Sequence, residues 1–340
     1  MSFQQLASSL HACNPLSVNF MSSIDLLLVK TSSMGDVLHN LPVVTDILRH
    51  FPEARIDWVV EESFAALPAL HPGIHQVVPV AIRRWRRNWL AARHEMRQAC
   101  HALHAHPYDL VIDTQGLLKS ALIARCAQGV RCGYDWGSAR EPLASLTYQR
   151  KFAVPRQLHA VERNRLLAAA ALGYEVAGPP VYGLAIPDVE LPWLGTAPYV
   201  VFLHATSRDN KLWLEDNWIA LGRTLHERGL HAVLTWGNPA EQTRTERLCA
   251  LIPDALMAPR LSLPEAATLL GRAQAVVGVD TGLSHLAAAL DVPTIGLYTA
   301  TDPGLTGLHA GARAINLGSK MQQPAVNSVL ENLASMGLHV

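Results

Sequence analysis

The sequence contains little charge and no excess of either sign. Of its 340 residues, 16% are charged, and 28 lysines and arginines balance 28 aspartates and glutamates. Typical soluble proteins carry about 25% charged residues, and a protein that coats nucleic acid needs a basic excess. The balance therefore argues against a nucleic-acid partner, although it leaves room for a local basic patch.

Long apolar runs and a cysteine framework are also missing. The stretch 64–82 is uncharged but contains three prolines and two histidines, whereas a membrane-spanning helix needs about 20 apolar residues without such breaks. The five cysteines form no C-x-x-C pair, which is typical of a reducing compartment. Residues 1–22 lack the basic and apolar regions of a signal peptide. We therefore expect a soluble cytoplasmic protein with a loose N-terminal extension at 1–22.

Several catalytic motifs do not occur. There is no G-x-G-x-x-G and no G-x-x-x-x-G-K-[ST], so dinucleotide-dependent dehydrogenases and P-loop kinases are poorly supported. H-E-x-x-H and G-x-S-x-G are absent as well, which argues against zinc and serine hydrolases. No D-x-D is present, although many sugar-nucleotide transferases use that motif to hold a metal on the donor diphosphate.

Apolar strands alternate with helical patterns in both halves of the chain. This alternation predicts parallel sheets covered by helices on both faces. The predicted strands are 25–30, 55–60, 76–82, 108–113, 199–204, 232–236, 275–279 and 294–298. The predicted helical segments are 36–50, 90–105, 119–128, 216–229, 239–251, 264–272, 283–290 and 326–338.

A segment rich in proline and glycine, from Gly178 to Pro198, separates the two halves and reads as a linker. We predict two doubly wound, Rossmann-like α/β domains that face each other across a cleft. Ligands of such sheets lie beyond the carboxyl ends of the strands. The predicted divisions are the extension 1–22, an N-terminal domain 23–185, the linker 186–198, a C-terminal domain 199–318 and a helical tail 319–340 that packs back across the domains.

The loop after the first strand ends at Asp36, where a helix begins. An aspartate at this position can simply cap the helix, a contribution of about 1 kcal/mol. It can also act as a general base, because a carboxylate at the carboxyl end of a strand faces the cleft. The residues alone leave both interpretations open.

Three polar loops follow strands of the second half. Asp280, Thr281 and Gly282 lie where a helix N-terminus favours an anion. Lys211 follows two hydroxyl side chains, and Glu241 is placed to accept a hydrogen bond from a ribose hydroxyl. Each feature has a plain alternative, helix capping or a solvated loop, but three such loops in one domain indicate a ligand site. The turn at 301–304 needs no functional interpretation.

A basic run, residues 83–87, is the densest charge in the chain. Arginine matches phosphate and carboxylate groups with two parallel hydrogen bonds, and Trp85 and Trp89 add flat apolar surface. The run indicates recognition of a polyanionic ligand. A solvated surface or a membrane-surface contact is the alternative.

Two segments resemble signatures of the ADP-heptose:lipopolysaccharide heptosyltransferases. Segment 30–39, followed by Leu41 and Pro42, is similar to the N-terminal signature of the type I members, and segment 279–286 is similar to the donor-site signature. Further similar stretches are 81–86, 113–116, 139–145 and 159–163. The resemblance is specific, because several uncommon sequence motifs occur in the same order as in the family, over roughly residues 24–318.

The resemblance implies an inverting glycosyltransferase of the GT-B fold that uses no metal or other cofactor. Its donor would be ADP-L-glycero-β-D-manno-heptose, and its acceptor the Kdo of Kdo₂-lipid A in the lipopolysaccharide inner core. The family also implies a peripheral location on the cytoplasmic face of the inner membrane. We expect a monomer. The alternatives are another core heptosyltransferase, a nucleotide-sugar transferase of the same fold, or a non-catalytic binder of anionic glycolipids.

The resemblance also implies roles for individual residues. Asp36 matches the general base, and Lys211 would offset charge on the departing ADP. The residues implied in donor binding are Thr206, Ser207, Lys211, Glu241, Leu261, Asp280, Thr281, Gly282 and His285. Those implied in acceptor binding are Arg83, Arg84, Arg86, Arg87, Arg140 and His159. The chain departs from its relatives at Leu261, where they carry methionine, and at Ser207, which keeps the hydroxyl of their threonine.

Overall fold

The structure, a computed structural model, describes residues 23–206, 208–320 and 322–338. The predicted extension at 1–22 and the predicted donor residue Ser207 lie outside these described residues. The chain divides into two compact units, with the boundary between Gly183 and Leu184. Residues 173–198, all of them described, surround that boundary and contain neither helix nor strand.

The first unit contains six strands: β1 (Asp25–Val29), β2 (Arg55–Glu61), β3 (Gln76–Val80), β4 (Pro107–Asp113), β5 (Gln128–Tyr134) and β6 (Arg150–Phe152). They form one sheet in the order β3-β2-β1-β4-β5-β6. All five pairings are parallel. β1 is buried along most of its length, as expected for a parallel sheet covered on both faces.

The helices of the first unit are α1 (Met34–Leu38), α2 (Leu41–His50), α3 (Ala66–Ala69), α4 (Ile82–Arg87), α5 (Arg93–Ala105), α6 (Leu118–Ala124) and α7 (Ala160–Leu172). The segment 36–50, predicted as one helical pattern, is two helices separated by His39 and Asn40. Pro42 explains the second start, because proline lacks an N–H group and fits the first turn of a helix.

Two strands of this sheet, β5 and β6, were not predicted from the sequence. β5 contains Gly129 and Gly133, which weaken the strand pattern. Gly133 is required by packing, because a Cβ atom at that position would collide with the ring of Tyr148. The glycine in β5 therefore reflects packing against Tyr148 and not strand propensity.

The second unit repeats this architecture with β7 (Tyr199–Leu203), β8 (His231–Leu234), β9 (Leu256–Met257), β10 (Ala275–Val279), β11 (Thr294–Leu297) and β12 (Ala314–Leu317). Its sheet runs in the order β12-β11-β10-β7-β8-β9, and every pairing is parallel. The predicted class, two doubly wound α/β domains, is confirmed.

The helices of the second unit are α8 (Glu215–Glu227), α9 (Pro239–Leu251), α10 (Leu263–Gly271), α11 (Gly282–Ala289), α12 (Pro303–Thr306) and α13 (Val326–Ser335). The predicted C-terminal helix is α13. Its Val329 and Leu333 are fully buried in one core with Trp213 and Trp218. The prediction that this tail also reaches the other unit stays a prediction.

None of the helices in the described part of the chain is long and apolar enough to cross a membrane. One covalent cross-link is present within the first unit, a disulfide between Cys100 of α5 and Cys126, just after α6. Among the described residues, Cys132 and Cys249 are free thiols. The sequence gives no sign of this pairing, because the two cysteines are 26 residues apart and meet only in the folded unit.

Candidate active site

Asp36 follows β1, at the point where the strand order of the first sheet reverses. The chain leaves β1 toward β2 on one side, and β4 pairs with β1 on the other. Ligands of open α/β sheets bind at such a switch point, beyond the carboxyl ends of the strands. Asp36 sits in α1, and its Oδ2 atom accepts a hydrogen bond of 2.9 Å from the main-chain N–H of Ser33. Ser33 is the N-cap of α1, and Asp36 supports the start of the helix from the third position of a capping box and not as the cap itself.

The loop that carries Asp36 is held by the loop that follows β4. The side-chain Oε1 of Gln115 accepts hydrogen bonds from the main-chain N–H groups of Thr31, at 2.6 Å, and Ser32, at 3.2 Å. The carboxylate of Asp113 in turn accepts from the N–H groups of Gln115, at 2.9 Å, and Gly116, at 3.2 Å. The matched stretch 113–116 thus positions the β1–α1 loop across the switch point.

Two cations face Asp36. Nη1 of Arg140 lies 3.4 Å from both carboxylate oxygens, and the ammonium of Lys30 is close enough to act on the same charge. Burial alone would raise the pKa of Asp36, but Lys30, Arg140 and the hydrogen bond from Ser33 outweigh it and hold that pKa below its usual value. Asp36 is therefore ionised at neutral pH.

Lys30 is a buried charge to which the sequence reasoning assigned no role. Its Nζ atom donates to the main-chain oxygen of Thr114, at 2.8 Å, and to Oδ1 of Asn164, at 3.2 Å. Burial lowers the pKa of Lys30 to about 8, and Asp36 partly opposes that shift. The sequence feature that could have identified it is a lysine at the end of a buried strand, directly before a polar loop.

The second site centres on Asp280, at the corresponding switch point between β7 and β10. Its Oδ2 atom accepts from Nζ of Lys211, at 2.6 Å, and from the hydroxyl of Thr301, at 2.9 Å. The hydroxyl of Thr206 donates to the main-chain oxygen of Asp280, at 3.0 Å. The structure therefore joins three predicted donor residues from two loops, one after β7 and one after β10.

The remaining contacts of Asp280 set its charge. Nε2 of His285 lies 4.0 Å from Oδ1. Burial by itself would raise the pKa of Asp280, but the nearby His285 imidazole and the hydrogen bonds from Lys211 and Thr301 outweigh it and hold the pKa well below its usual range. Thr301, which the sequence pattern placed only in a turn, belongs to this cluster through its hydrogen bond to Asp280. Its position just after β11, beside β10, was the signal that it belongs to this cluster.

Helix α11 begins directly beside this cluster. Thr281 precedes its first residue, Gly282. The first N–H groups of a helix have no partner within the helix, and they favour anions. The arrangement of a lysine, hydroxyl groups and a helix N-terminus around one point is suited to a diphosphate.

Glu241 and Leu261 belong to other loops of the second unit. Glu241 lies in the first turn of α9, where its Oε2 atom accepts from the N–H of Gly237 at 2.7 Å. The half-buried Leu261 follows β9, the edge strand next to β8. Both therefore lie on the β8–β9 side of the sheet, away from the Thr301 side.

The basic run forms the short helix α4. The guanidinium of Arg84 pairs with Glu62, at 3.1 Å, and with Glu95, at 2.6 Å. Arg83 lies over the ring of Phe64, with 4.9 Å between Cζ and the ring centroid. The other two arginines, Arg86 and Arg87, are exposed. Arg84 is thus committed to protein carboxylates, whereas its neighbours present their charge to solvent.

The last predicted acceptor residue, His159, is the N-cap of α7. Its Nδ1 atom accepts from the N–H of Val161 at 3.2 Å, and its ring packs edge-on against His39 with 5.3 Å between centroids.

Within residues 23–206, 208–320 and 322–338, no three His, Cys, Asp or Glu side chains are grouped to hold a metal ion.

Comparison with known proteins identifies relatives over nearly the whole chain. Residues 96–333 match the model of glycosyltransferase family 9 (heptosyltransferase). Lipopolysaccharide heptosyltransferase 1 of Escherichia coli K12 is 47% identical over 319 residues, which cover 92% of this chain and 99% of that protein. The protein of the same name from Pseudomonas aeruginosa is 50% identical over 300 residues, 86% of this chain and 83% of its own length.

The solved structures lead to the same group. The E. coli heptosyltransferase WaaC with ADP has a TM-score of 0.85 at 44% identity, covering 92% of this chain and 100% of that one. The structure of WaaC with ADP-2-deoxy-2-fluoro heptose has a TM-score of 0.82 at 43% identity, covering 92% of this chain and 99% of that one. These matches span both compact units.

Proposed function

This chain belongs to glycosyltransferase family 9, the heptosyltransferases, and from that premise we propose that it transfers a heptose from ADP-heptose to the Kdo of Kdo₂-lipid A in lipopolysaccharide inner-core synthesis. The observation that carries the proposal is the 47% identity to a lipopolysaccharide heptosyltransferase 1 over 99% of that relative. The WaaC structures with ADP and with a fluorinated ADP-heptose support the donor.

The Asp280 cluster is the proposed donor site. When the diphosphate enters, its oxygens take the Lys211 ammonium as a partner in addition to Asp280, and the N–H groups at the start of α11 face the same anion. As the bond between the anomeric carbon and the phosphate oxygen breaks, negative charge grows on ADP. Lys211, already fixed by its 2.6 Å contact with Asp280, stabilises that charge without a costly rearrangement.

Asp36 is the proposed general base. It takes the proton from an acceptor hydroxyl as the oxygen attacks the anomeric carbon, and the β-linked donor then gives an α-linked product by inversion. A positioned base contributes typically 10²–10⁴-fold to the rate. The lowered pKa of Asp36 keeps the carboxylate free of protons before the reaction.

The exposed arginines of α4 are the proposed contact for the acceptor. Kdo carries a carboxylate and lipid A carries phosphates, and arginine binds both groups with paired hydrogen bonds. Because that acceptor is a lipid, we also propose a peripheral location on the cytoplasmic face of the inner membrane. Arg83, Arg86 and Arg87 supply the positive surface for it.

The decisive experiment measures ADP release from ADP-heptose with deacylated Kdo₂-lipid A, in EDTA, with and without the acceptor. We expect release that depends on the acceptor and survives EDTA. Release with a UDP-sugar in preference to ADP-heptose would contradict the donor assignment. Donor binding without release would contradict the acceptor assignment, and the absence of both would overturn the proposed function.

A further inference from the structure

An open, apolar cavity of about 330 Å³ lies in the first unit between α4, α5 and α6. Its walls include Trp85, Ala99, Leu103 and Ile123, which belong to or pack against one buried core cluster. The volume is at the lower end of the range for small-molecule sites, about 300–1,000 Å³. We call it the α4–α6 cavity.

The mouth of the α4–α6 cavity is unusually apolar for a protein surface. Three lining side chains are large, hydrophobic and exposed, namely Trp89 at 64%, Met96 at 42% and Leu122 at 60%. Leu90, 55% exposed, follows directly after Trp89. Exposed apolar residues are ordinary when scattered, but a contiguous group around a cavity marks a binding surface.

Two cations, Arg86 and Lys119, stand among the lining residues of this cavity. Arg83 and Arg87 belong to the same short helix as Arg86 and are exposed like it. A cavity with an apolar interior and positive charge beside it complements an amphiphile with an apolar chain and an anionic head. It does not complement a neutral apolar molecule or a sugar.

The cavity is connected to the Asp36 loop through Lys119. The Nζ atom of Lys119 donates a hydrogen bond of 2.7 Å to the hydroxyl of Ser32, which lies in the β1–α1 loop. Lys119 therefore lines the cavity and also contacts the loop that carries the proposed base. A ligand whose tail fills the cavity has its head beside the arginines of α4 and beside Lys119, which contacts the Asp36 loop at Ser32.

We propose that the α4–α6 cavity binds an acyl chain of the lipid acceptor while Arg86 and Lys119 hold the anionic head of the same molecule. The inference rests on the proposed function, because it assigns a subsite to that acceptor. It adds that the enzyme distinguishes the intact lipid from its deacylated sugar head. The positive charge beside the cavity favours an anionic lipid over a neutral one. The hydrogen bond from Lys119 to Ser32, in the loop of the proposed base, favours the acceptor over an anionic lipid of the surrounding bilayer.

The test compares two acceptors on one set of variants. Met96→Gln/Leu122→Gln makes the mouth polar at exposed positions, so folding is preserved, and Ala99→Phe fills the interior without adding polarity. Leu251→Gln is the control, because Leu251 is 49% exposed and lies in α9, outside the cavity. KM and kcat are measured with acylated Kdo₂-lipid A in phosphatidylcholine vesicles and with fully deacylated Kdo₂-lipid A in solution.

We expect both cavity variants to raise KM for the acylated acceptor about tenfold, corresponding to the loss of a few methylene contacts. Their KM for the deacylated acceptor stays unchanged, and the control is unchanged with both. Equal KM changes for the two acceptors, or none, would overturn the inference while leaving the proposed function intact. Wild-type protein inactive on both acceptors would instead refute the proposed function.

A second arm separates the acceptor from bilayer lipid. Sedimentation with phosphatidylcholine vesicles containing 20% phosphatidylglycerol, without lipid A, reports binding to bulk anionic lipid. Equal binding by wild type and Met96→Gln/Leu122→Gln supports the inference. Loss of that binding in the variant would assign the cavity to a bilayer phospholipid and overturn it.

Discussion

The guanidinium of Arg140 lies 3.4 Å from both carboxylate oxygens of Asp36, although 104 residues separate them in the chain. The contact brings a residue that follows β5 to one that follows β1. It gives Arg140 a direct electrostatic effect on the proposed base, beyond the acceptor contact that the sequence suggested.

Replacing the proposed base tests the chemistry itself. For Asp36→Asn, we expect kcat to fall by about 10²–10⁴-fold, because the amide keeps the shape of the carboxylate but takes no proton. The Kd of ADP-heptose, measured by calorimetry, stays near the wild-type value because donor binding is assigned to the other unit. Asp216→Asn, at an exposed position, is the matched control and should retain full kcat. Unchanged turnover in Asp36→Asn removes Asp36 from the role of base.

Removing the neighbouring cation tests the pH dependence. Arg140 helps to lower the pKa of Asp36, so Arg140→Gln raises that pKa. The base is then protonated at a higher pH, and the acidic limb of the profile of kcat/KM against pH moves upward. Arg125→Gln, an exposed arginine elsewhere in the first unit, should leave the limb in place. A limb that does not move in Arg140→Gln shows that it reports another group.

The lysine at the donor site is tested through its effect on the leaving group. We expect Lys211→Ala to lower kcat by about 10²–10³-fold, the loss seen when one preorganised donor to a developing anion is removed. Single-turnover rates at saturating donor separate this loss from weaker donor binding. The exposed Lys151 provides the control variant Lys151→Ala. A change confined to the KM of the donor would assign Lys211 to ground-state binding alone.

The C-terminal helix α13 is expected to be essential for the stability of the second unit. Leu333 is fully buried in the core that also contains Trp213 and Trp218, so Leu333→Ala should lower the free energy of unfolding by about 2–5 kcal/mol. Leu330, which only packs against that core, should lose less in Leu330→Ala. Urea unfolding followed by tryptophan fluorescence measures both. Equal losses would mean that burial in this core does not determine the cost.

Much of the fold could be predicted from local patterns. Apolar strands alternating with helices predict parallel sheets, because both faces of such a sheet must be covered. The eight predicted strands are all present, since a buried strand needs a continuous apolar run whatever its neighbours are. Four strands, β5, β6, β9 and β12, were missed, and in β5 one reason is Gly133, which leaves room for the ring of Tyr148. Local patterns contain no record of that kind of contact.

The features of the candidate site also divide into those that the sequence determined and those that only the tertiary structure decided. The sequence by itself determined which loops carry polar side chains, since Asp36, Lys211 and Asp280 each lie at a predicted strand end, and it determined the family through its motifs. Only the tertiary structure decided that Gln115 holds the Asp36 loop, that Thr301 joins Asp280, and that Cys100 meets Cys126 beside an apolar cavity. The physical reason is the order of strands in each sheet. It brings together residues 21 and 104 positions apart, and it depends on the packing of the whole unit and not on any local pattern.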